Sequence, residues 1–181
     1  LQYAAKKCQE KSITLYSNFT TNAVLLTDKV IEALNALPLG KKATFQITFD
    51  GNRDVHNKTR IGLNKKPTYD IILHNMYSAL QHGNEISARC NYTYDNILTF
   101  SDVLEDFMAL GLNNYKEVFS VKFEHVWQDG KNLSKSKPLM QKIRNNFEAA
   151  GFDVGSDDVH FHHVCYADSP RHAVINYNGD V

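Results

Sequence analysis

Residues 43–50 carry a polar side chain at every second position, a spacing that could support ligand binding. Because the side chains of a strand alternate between its two faces, Gln46, Thr48 and Asp50 are predicted to share one face. Their amide, hydroxyl and carboxylate groups can all hydrogen-bond a polar ligand. The same pattern is typical of an ordinary strand with one solvated face, so both interpretations remain open.

Residues 85–92 repeat this alternation and add a cation, with Ser87, Arg89 and Asn91 on the polar face. We expect both polar faces to line an interior, where an unpaired arginine would cost about 3–5 kcal/mol. Either a ligand carboxylate or a neighbouring acid such as Asp50 could supply the anionic partner. The two segments together favour a site for a polar ligand.

Helix and strand patterns alternate along the chain, which predicts an α/β fold. The predicted strands are residues 13–17, 43–50, 85–92 and 118–127, and the predicted helices are residues 1–11, 27–37, 69–82, 95–110 and 134–151. Three right-handed crossovers between four strands indicate a parallel sheet, either doubly wound or an arc of a β/α barrel. Because no glycine-rich phosphate loop follows any strand, a dinucleotide-binding fold is unsupported.

The carboxyl ends of the predicted strands form the expected ligand-binding edge, as they do in α/β barrels. Four segments should surround that mouth: residues 18–22, 50–60, 89–92 and 125–128. Some 16 residues after Asp50 show little apolar periodicity and are predicted to form a long loop. Loops of that length are often functional.

A second candidate site lies near the end of the chain, where three histidines are close to a cysteine. These residues are His160, His162, His163 and Cys165. Imidazole and thiolate groups bind zinc, although spacing this tight would need help from nearby carboxylates. The segment therefore supports an alternative function, a metal-binding or hydrolytic α/β domain. The simpler interpretation is a polar connector.

The composition narrows the classes of partner. The net charge is zero and no basic stripe is present, so we do not expect a nucleic acid partner. No apolar run is long enough to span a bilayer, and we expect no membrane partner. Cys8, Cys90 and Cys165 are odd in number and widely spaced, which argues against a disulfide framework and predicts a reducing, cytoplasmic location.

Five segments, in order, resemble motifs of radical S-adenosylmethionine enzymes that carry a SPASM extension. TTNAVLLTDKVIEAL resembles their TNGTLLT segment, FQITFDGNRDVHNKTR their LQISLDG…HDxxR segment, and ISARCNYTYDNI their VRINYTxENI segment. VKFEHVW resembles their sixth strand, and CYADSPRHAVINYNGDV resembles the opening of the extension. The suggested relatives are peptide and protein maturases, including anaerobic sulfatase-maturating enzymes.

The resemblance implies a six-stranded, TIM-like partial barrel, of which residues 1–151 would hold strands three to six. Residues 152–181 would form a connector and the truncated start of the SPASM hairpin, with Cys165 as one ligand of an incomplete auxiliary cluster. The CxxxCxxC loop for the catalytic [4Fe-4S] cluster and the GGE motif are absent from the sequence. The chain would then be an inactive internal fragment that binds no cofactor by itself. Its open edge at residues 13–17 should favour self-association.

The parent protein is implied to be an oxidoreductase that uses S-adenosylmethionine and [4Fe-4S] clusters. A 5′-deoxyadenosyl radical would abstract hydrogen from a peptide or protein substrate. By position, the resemblance implies that five residues of this chain contact the cosubstrate. Thr48 stands where the family has a Ser or Thr that contacts the ribose. The five are Gln46, Thr48, Arg60, Arg89 and Asn91.

The resemblance also places three residues at the barrel mouth or near substrate, namely Asn22, Asp50 and His125. Asn22 and Asp50, with His56, are expected mainly to anchor loops, and for His125 a satisfied core histidine is favoured slightly over a residue that faces substrate. No residue of this chain is assigned a catalytic role. The glycine of TNGT is replaced by Ala23, which bears on the local shape of the mouth. A non-catalytic binding module that keeps the barrel without a cluster is a third hypothesis.

Overall fold

The computed structural model describes residues 1–155, in which five strands form one parallel sheet in chain order. The strands are β1 Asn18–Thr21, β2 Thr44–Phe49, β3 Glu85–Tyr92, β4 Phe119–His125 and β5 Asp153–Val154. Every neighbouring pair is parallel, which confirms the predicted α/β class. In a parallel sheet all carboxyl ends meet at one edge, so residues that follow different strands become neighbours.

Residues 1–155 also contain six α-helices and four short 3₁₀ turns. The helices are α1 Gln2–Glu10, α2 Asp28–Asn35, α3 Arg53–Thr59, α4 Tyr69–Gln81, α5 Phe100–Ala109 and α6 Leu133–Ala149. The 3₁₀ turns are Leu63–Lys65, Ile97–Thr99, Leu112–Asn114 and Trp127–Asn132. None of the described helices combines the length and apolar character required to cross a bilayer.

One face of the sheet packs on the helices and forms the core. Phe45, Ile47 and Phe49 of β2 are buried there, as their alternation predicts. Phe49 makes edge-to-face contacts with Tyr69 of α4 at 5.6 Å and with Phe107 of α5 at 5.4 Å between ring centroids. Such contacts add to area burial and hold β2 against two helices. The opposite face of β2 and β3 therefore carries the polar side chains.

The predicted strand at residues 13–17 is wrong, because the first strand begins at Asn18, one residue after the predicted strand ends. Residues 13–17 belong to no helix or strand, and within residues 1–155 they accept backbone hydrogen bonds only from Gly40 and Thr44. Ile13 is 56% exposed, so it contributes little to the core. Phe19 instead stacks on Phe45 at 5.5 Å, which sets the β1–β2 register.

The predicted long loop after Asp50 is also wrong in part, since it contains α3. Asn52 caps this helix, its side-chain oxygen accepting from Val55 N at 3.1 Å. The buried residue of α3 is His56, and no apolar stripe marks so short a polar helix. The Asn57 side chain then accepts from the backbone of Thr68 and Tyr69, which joins α3 to the start of α4.

Strand β5 lies in the region predicted to be a connector. It pairs with β4 over only two residues, a length too short to leave a readable sequence pattern. The remaining residues of the connector and the predicted hairpin lie outside the described part of the chain. The division into residues 1–151 and 152–181 therefore stays a prediction.

We expect the β1 edge to mediate self-association, because within residues 1–155 β1 pairs with β2 alone. Multi-angle light scattering should give a mass twice the 20.6 kDa of one chain. The Thr20→Lys substitution places a charge on this exposed edge and should shift the protein to the monomer. Ser101→Lys, which adds the same charge on the exposed surface of α5, is the matched control. A wild-type monomer at every concentration would contradict this expectation.

Candidate functional site at the carboxyl ends of the strands

The strand register brings the polar side chains of β2, β3 and β4 into transverse rows. Gln46 lies beside Ser87, and Thr48 lies beside Arg89. The second of these rows continues to Lys122 on β4. The rows occupy the face opposite the aromatic core, as the alternation predicts.

Asp50 links these rows to the segment that follows β2. Its Oδ2 accepts from Arg60 Nε at 2.7 Å and from Thr59 Oγ1 at 3.2 Å, and its Oδ1 accepts from Asn91 Nδ2 at 3.1 Å. The Asp50 backbone carbonyl accepts from Asn96 Nδ2 at 2.9 Å. One residue thus ties together the end of α3, the end of β3 and the turn before α5.

A cavity of about 490 Å³ opens beside this network, a size suited to a small molecule. Three segments supply its polar lining, each following a different strand or helix. The polar lining residues are Asp50, Thr59, Arg60, Asn91, Thr93, Asp95 and Asn96. The predicted mouth between β2 and β3 is therefore a concave site.

The five predicted cosubstrate contacts fall into two groups. Arg60 and Asn91 line the cavity, whereas Gln46, Thr48 and Arg89 lie lower on the same polar face. The guanidinium of Arg60 is held by the carboxylate of Asp50. Arg89 Nε donates to Asn91 Oδ1 at 3.1 Å and thus reaches Asp50 only through that amide. In the described residues no carboxylate lies within ion-pair distance of Arg89.

The three predicted mouth residues are not brought together. Asp50 lines the cavity described above. Asn22 follows β1, where its Oδ1 accepts from Val24 N at 3.2 Å, and it lines a separate cavity. His125 is in register with Tyr92, with ring centroids 5.1 Å apart, and its Nε2 lies 3.5 Å from Asp129 Oδ2. It does not line either of these two cavities.

His56 anchors the segment after β2, the role expected for it. The side chain is fully buried, between Phe49 and Tyr69. The Asp50 backbone N–H donates to His56 Nδ1 at 3.3 Å, which favours the neutral tautomer protonated on Nε2. The pKa of His56 is lowered to about 4, mainly by burial; the charge of Asp50 raises this pKa in part, and the charge of Arg60 lowers it. His56 is therefore neutral at pH 7.

Asn96 is a site residue whose full role the sequence pattern did not predict. Asn96 precedes the Ile97–Thr99 3₁₀ turn without making a side-chain cap bond to it, and its Oδ1 accepts from Thr93 N at 2.7 Å. Its Nδ2 also donates to the carbonyls of Asp50 and Asn91, so it joins β2 to β3. Only the run of turn-forming residues after Tyr92 signalled a structured loop here.

The turn after β1 adopts a conformation that normally favours glycine. Ala23 has a φ of 55° and is fully buried, at the position where the similar motif has glycine. Asn75 of α4 is buried and donates to the carbonyls of Ala23 at 2.8 Å and Val24 at 3.2 Å. These bonds hold the turn in place despite the β-carbon.

Within residues 1–155, no group of three or more His, Cys, Asp or Glu side chains is placed to hold a metal ion. Cys90 faces the core, where burial raises the pKa of its thiol, and Cys8 lies on α1. The predicted alternative site at His160, His162, His163 and Cys165 lies outside the described residues. It stays a hypothesis.

No protein-family model matches this sequence, and no curated protein matches it. Several solved structures share its fold. Native anSMEcpe with bound AdoMet has 18% identity and a TM-score of 0.52, over 66% of this chain and 30% of that one. Streptococcus suis SuiB has 16% identity and a TM-score of 0.55, over 97% of this chain and 38% of that one. SuiB bound to precursor peptide SuiA has 13% identity and a TM-score of 0.52, over 86% and 35%.

At sequence identities this low, the structural similarity shows only that this chain shares the fold of these proteins. The sheet described above is therefore an α/β partial barrel, which confirms the predicted fold class. This chain spans between 30% and 38% of the length of the chains that it resembles.

We expect the neutral, buried His56 to make the fold sensitive to mild acid. Its pKa is about 4 in the fold against 6.5 for an unperturbed histidine, so only the unfolded chain takes up the proton as the pH falls through 6.5. The free energy of unfolding should fall by roughly 2 kcal/mol between pH 7 and pH 5. Urea denaturation at a series of pH values measures this change.

His56→Gln is the matched variant, because glutamine keeps an acceptor for the Asp50 N–H and does not titrate. Its free energy of unfolding should change much less over the same interval. The other histidines are common to both proteins and cancel in the comparison. Equal slopes for the two proteins would show that His56 is not the acid-sensitive group.

Proposed function

We propose that this chain forms part of the barrel of a radical S-adenosylmethionine enzyme that modifies a peptide or protein. The observation that carries the proposal is the shared fold with anSMEcpe and SuiB, both of which have been solved with S-adenosylmethionine bound. The motif resemblance supports it independently, since its first four segments overlap β1 to β4 in the same order, whereas the fifth lies outside the described residues. Structures of both relatives with bound peptides support a peptide substrate.

The polar face of the sheet fits the chemical groups of S-adenosylmethionine. Arg89 uses Nε to bind Asn91, so its remaining N–H groups are available for the cosubstrate carboxylate. Thr48 places a hydroxyl in the same row, suited to a ribose hydroxyl. Within residues 1–155 the buried Ser87 Oγ, in the neighbouring row, has no hydrogen-bond partner. Gln46, the neighbour of Ser87, completes the proposed contact set with Arg60 and Asn91.

The described residues do not fit the catalytic cluster in the same way. Cys90 faces the core as a thiol, and no CxxxCxxC spacing occurs anywhere in the sequence. The cluster ligands in this proposal therefore belong to a part of the protein outside these 181 residues. Cys165 remains proposed as one ligand of an auxiliary cluster.

A reduced cluster, where present in the whole protein, would supply the electron for radical chemistry on S-adenosylmethionine, and Thr48, Arg89 and Asn91 would hold that cosubstrate. The residues of this chain bind and orient the cosubstrate. The Asp50–Arg60 pair holds the cavity wall in place, so Arg60 presents a fixed edge to whatever enters. A preorganised side chain of this kind raises affinity, because binding then costs little conformational entropy. In this proposal, residues 1–181 bind and position the cosubstrate, and they do not catalyse the reaction by themselves.

Binding of S-adenosylmethionine to the natural protein that contains this sequence tests the proposal. Calorimetry on anaerobically purified protein should detect binding, and Arg89→Gln should weaken it at least tenfold, about 1.4 kcal/mol. Arg53→Gln is the matched control, because Arg53 is an exposed arginine paired with Asp70 away from the polar face. Iron analysis of the same sample should show a cluster.

Absence of both binding and iron would overturn the proposal. Binding of S-adenosylmethionine without iron would instead support a non-catalytic module that keeps the barrel. An Arg89→Gln protein that binds as tightly as the wild type would remove Arg89 from the site while leaving the fold-based proposal standing.

A further inference from the structure

A second cavity, of about 680 Å³, lies next to the first one. Its walls are the turn after β1 and the segment that connects α3 to α4. Thr59 and Arg60 line both cavities and separate them. A ligand in the second cavity would therefore reach the edge of the first.

The second cavity concentrates exposed aliphatic side chains. Leu63 is 92% exposed, Leu25 is 80% exposed and Ile61 is 55% exposed, and all three line it with Ile71. Clusters of this kind mark binding surfaces more often than single exposed apolar residues do. Covering them with another apolar side chain would remove their surface from water, which favours binding.

The charges at this cavity are of one sign. Its lining contains Arg60 and Lys66 and no aspartate or glutamate. Arg60 is neutralised by Asp50, whereas Lys66 has no carboxylate within ion-pair distance in the described residues. One positive charge at the rim is therefore left uncompensated, and it complements an acidic group on a ligand.

Both walls of the cavity are held by hydrogen bonds. In the α3–α4 segment, Gly62 N donates to the Lys66 carbonyl at 2.9 Å, and Thr68 Oγ1 donates to the Arg60 carbonyl at 2.6 Å. On the other wall, the buried Asn75 fixes the turn that carries Leu25. The exposed aliphatic side chains thus project from an ordered backbone, which lowers the entropy that binding must overcome.

We propose that this cavity binds a peptide segment in which an aliphatic side chain is adjacent to Asp or Glu. The aliphatic side chain contacts Leu25, Ile61 and Leu63, and the carboxylate pairs with Lys66. The inference rests on the proposed function, because it identifies this peptide as part of the substrate. Thr59 and Arg60 then hold the bound segment beside the first cavity, where the cosubstrate is proposed to lie.

Calorimetric titration of the natural protein with three synthetic peptides tests this inference. The probes are acetyl-Gly-Leu-Asp-Leu-Gly-amide, the same peptide with Lys in place of Asp, and the same peptide with Ser in place of both Leu residues. We expect the Leu-Asp-Leu peptide to bind at least fivefold more tightly than each of the other two. Equal affinities for the three, or no binding, would overturn the inference.

Two substitutions with matched controls locate the bound peptide. Leu63→Ser and Lys66→Glu should each weaken binding of the Leu-Asp-Leu peptide roughly fivefold, and Lys66→Glu should favour the Lys peptide instead. Leu98→Ser and Lys29→Glu, which change exposed residues elsewhere, should leave the affinity unchanged. Peptide binding that is insensitive to both Leu63→Ser and Lys66→Glu would also overturn the inference.

A separate titration with S-adenosylmethionine distinguishes the two proposals. Cosubstrate binding without peptide selectivity would refute the inference about the second cavity alone. If the Leu63→Ser protein became monomeric while the wild type associated, a second copy of this chain would be the occupant, which would equally refute it.

Discussion

The structure at the carboxyl ends of the strands depends on the hydrogen bonds and the ion pair that Asp50 makes. Its carboxylate accepts hydrogen bonds from Arg60, Thr59 and Asn91, while its backbone N–H donates to His56 and its carbonyl accepts from Asn96. Every polar group of the residue is therefore used. Because the partners lie at α3, on β3 and in the turn before α5, the side chain and backbone of one residue together fix three segments relative to β2.

The network around Asp50 also explains why two cavities lie side by side. Arg60 stands between them, and its guanidinium is held in place by the carboxylate. On one side, Asp50, Asn91 and Asn96 line a cavity together with Val55 and Val126. On the other side, Leu25, Ile61 and Leu63 line an aliphatic one. The proposed cosubstrate and peptide would lie next to each other, with Thr59 and Arg60 as the wall common to both cavities.

Alternation predicts the faces of β2 and β3 well, because the core removes one face of each strand from water. Phe45, Ile47 and Phe49 are buried as expected, and Thr48 and Arg89 share the opposite face. This part of the fold depends on a local period of two, which a sequence displays directly.

Features set by contacts between distant residues could not be predicted in this way. Residues 13–17 are as apolar as a strand, but the stacking of Phe19 on Phe45 decides which residues pair with β2. Helix α3 buries a histidine instead of an apolar stripe, so its period is hidden. The sequence also allowed a direct contact between Arg89 and Asp50, whereas the register places Asn91 between them.

The most direct test of the role of Asp50 is a double-mutant cycle on the free energy of unfolding. The cycle combines Asp50→Ala with Arg60→Ala and uses urea denaturation of the two single variants, the double variant and the wild type. A partly buried, charge-assisted pair that organises the mouth should show a coupling energy of about 1–3 kcal/mol. Single effects that add within about 0.5 kcal/mol would contradict the central role of this carboxylate.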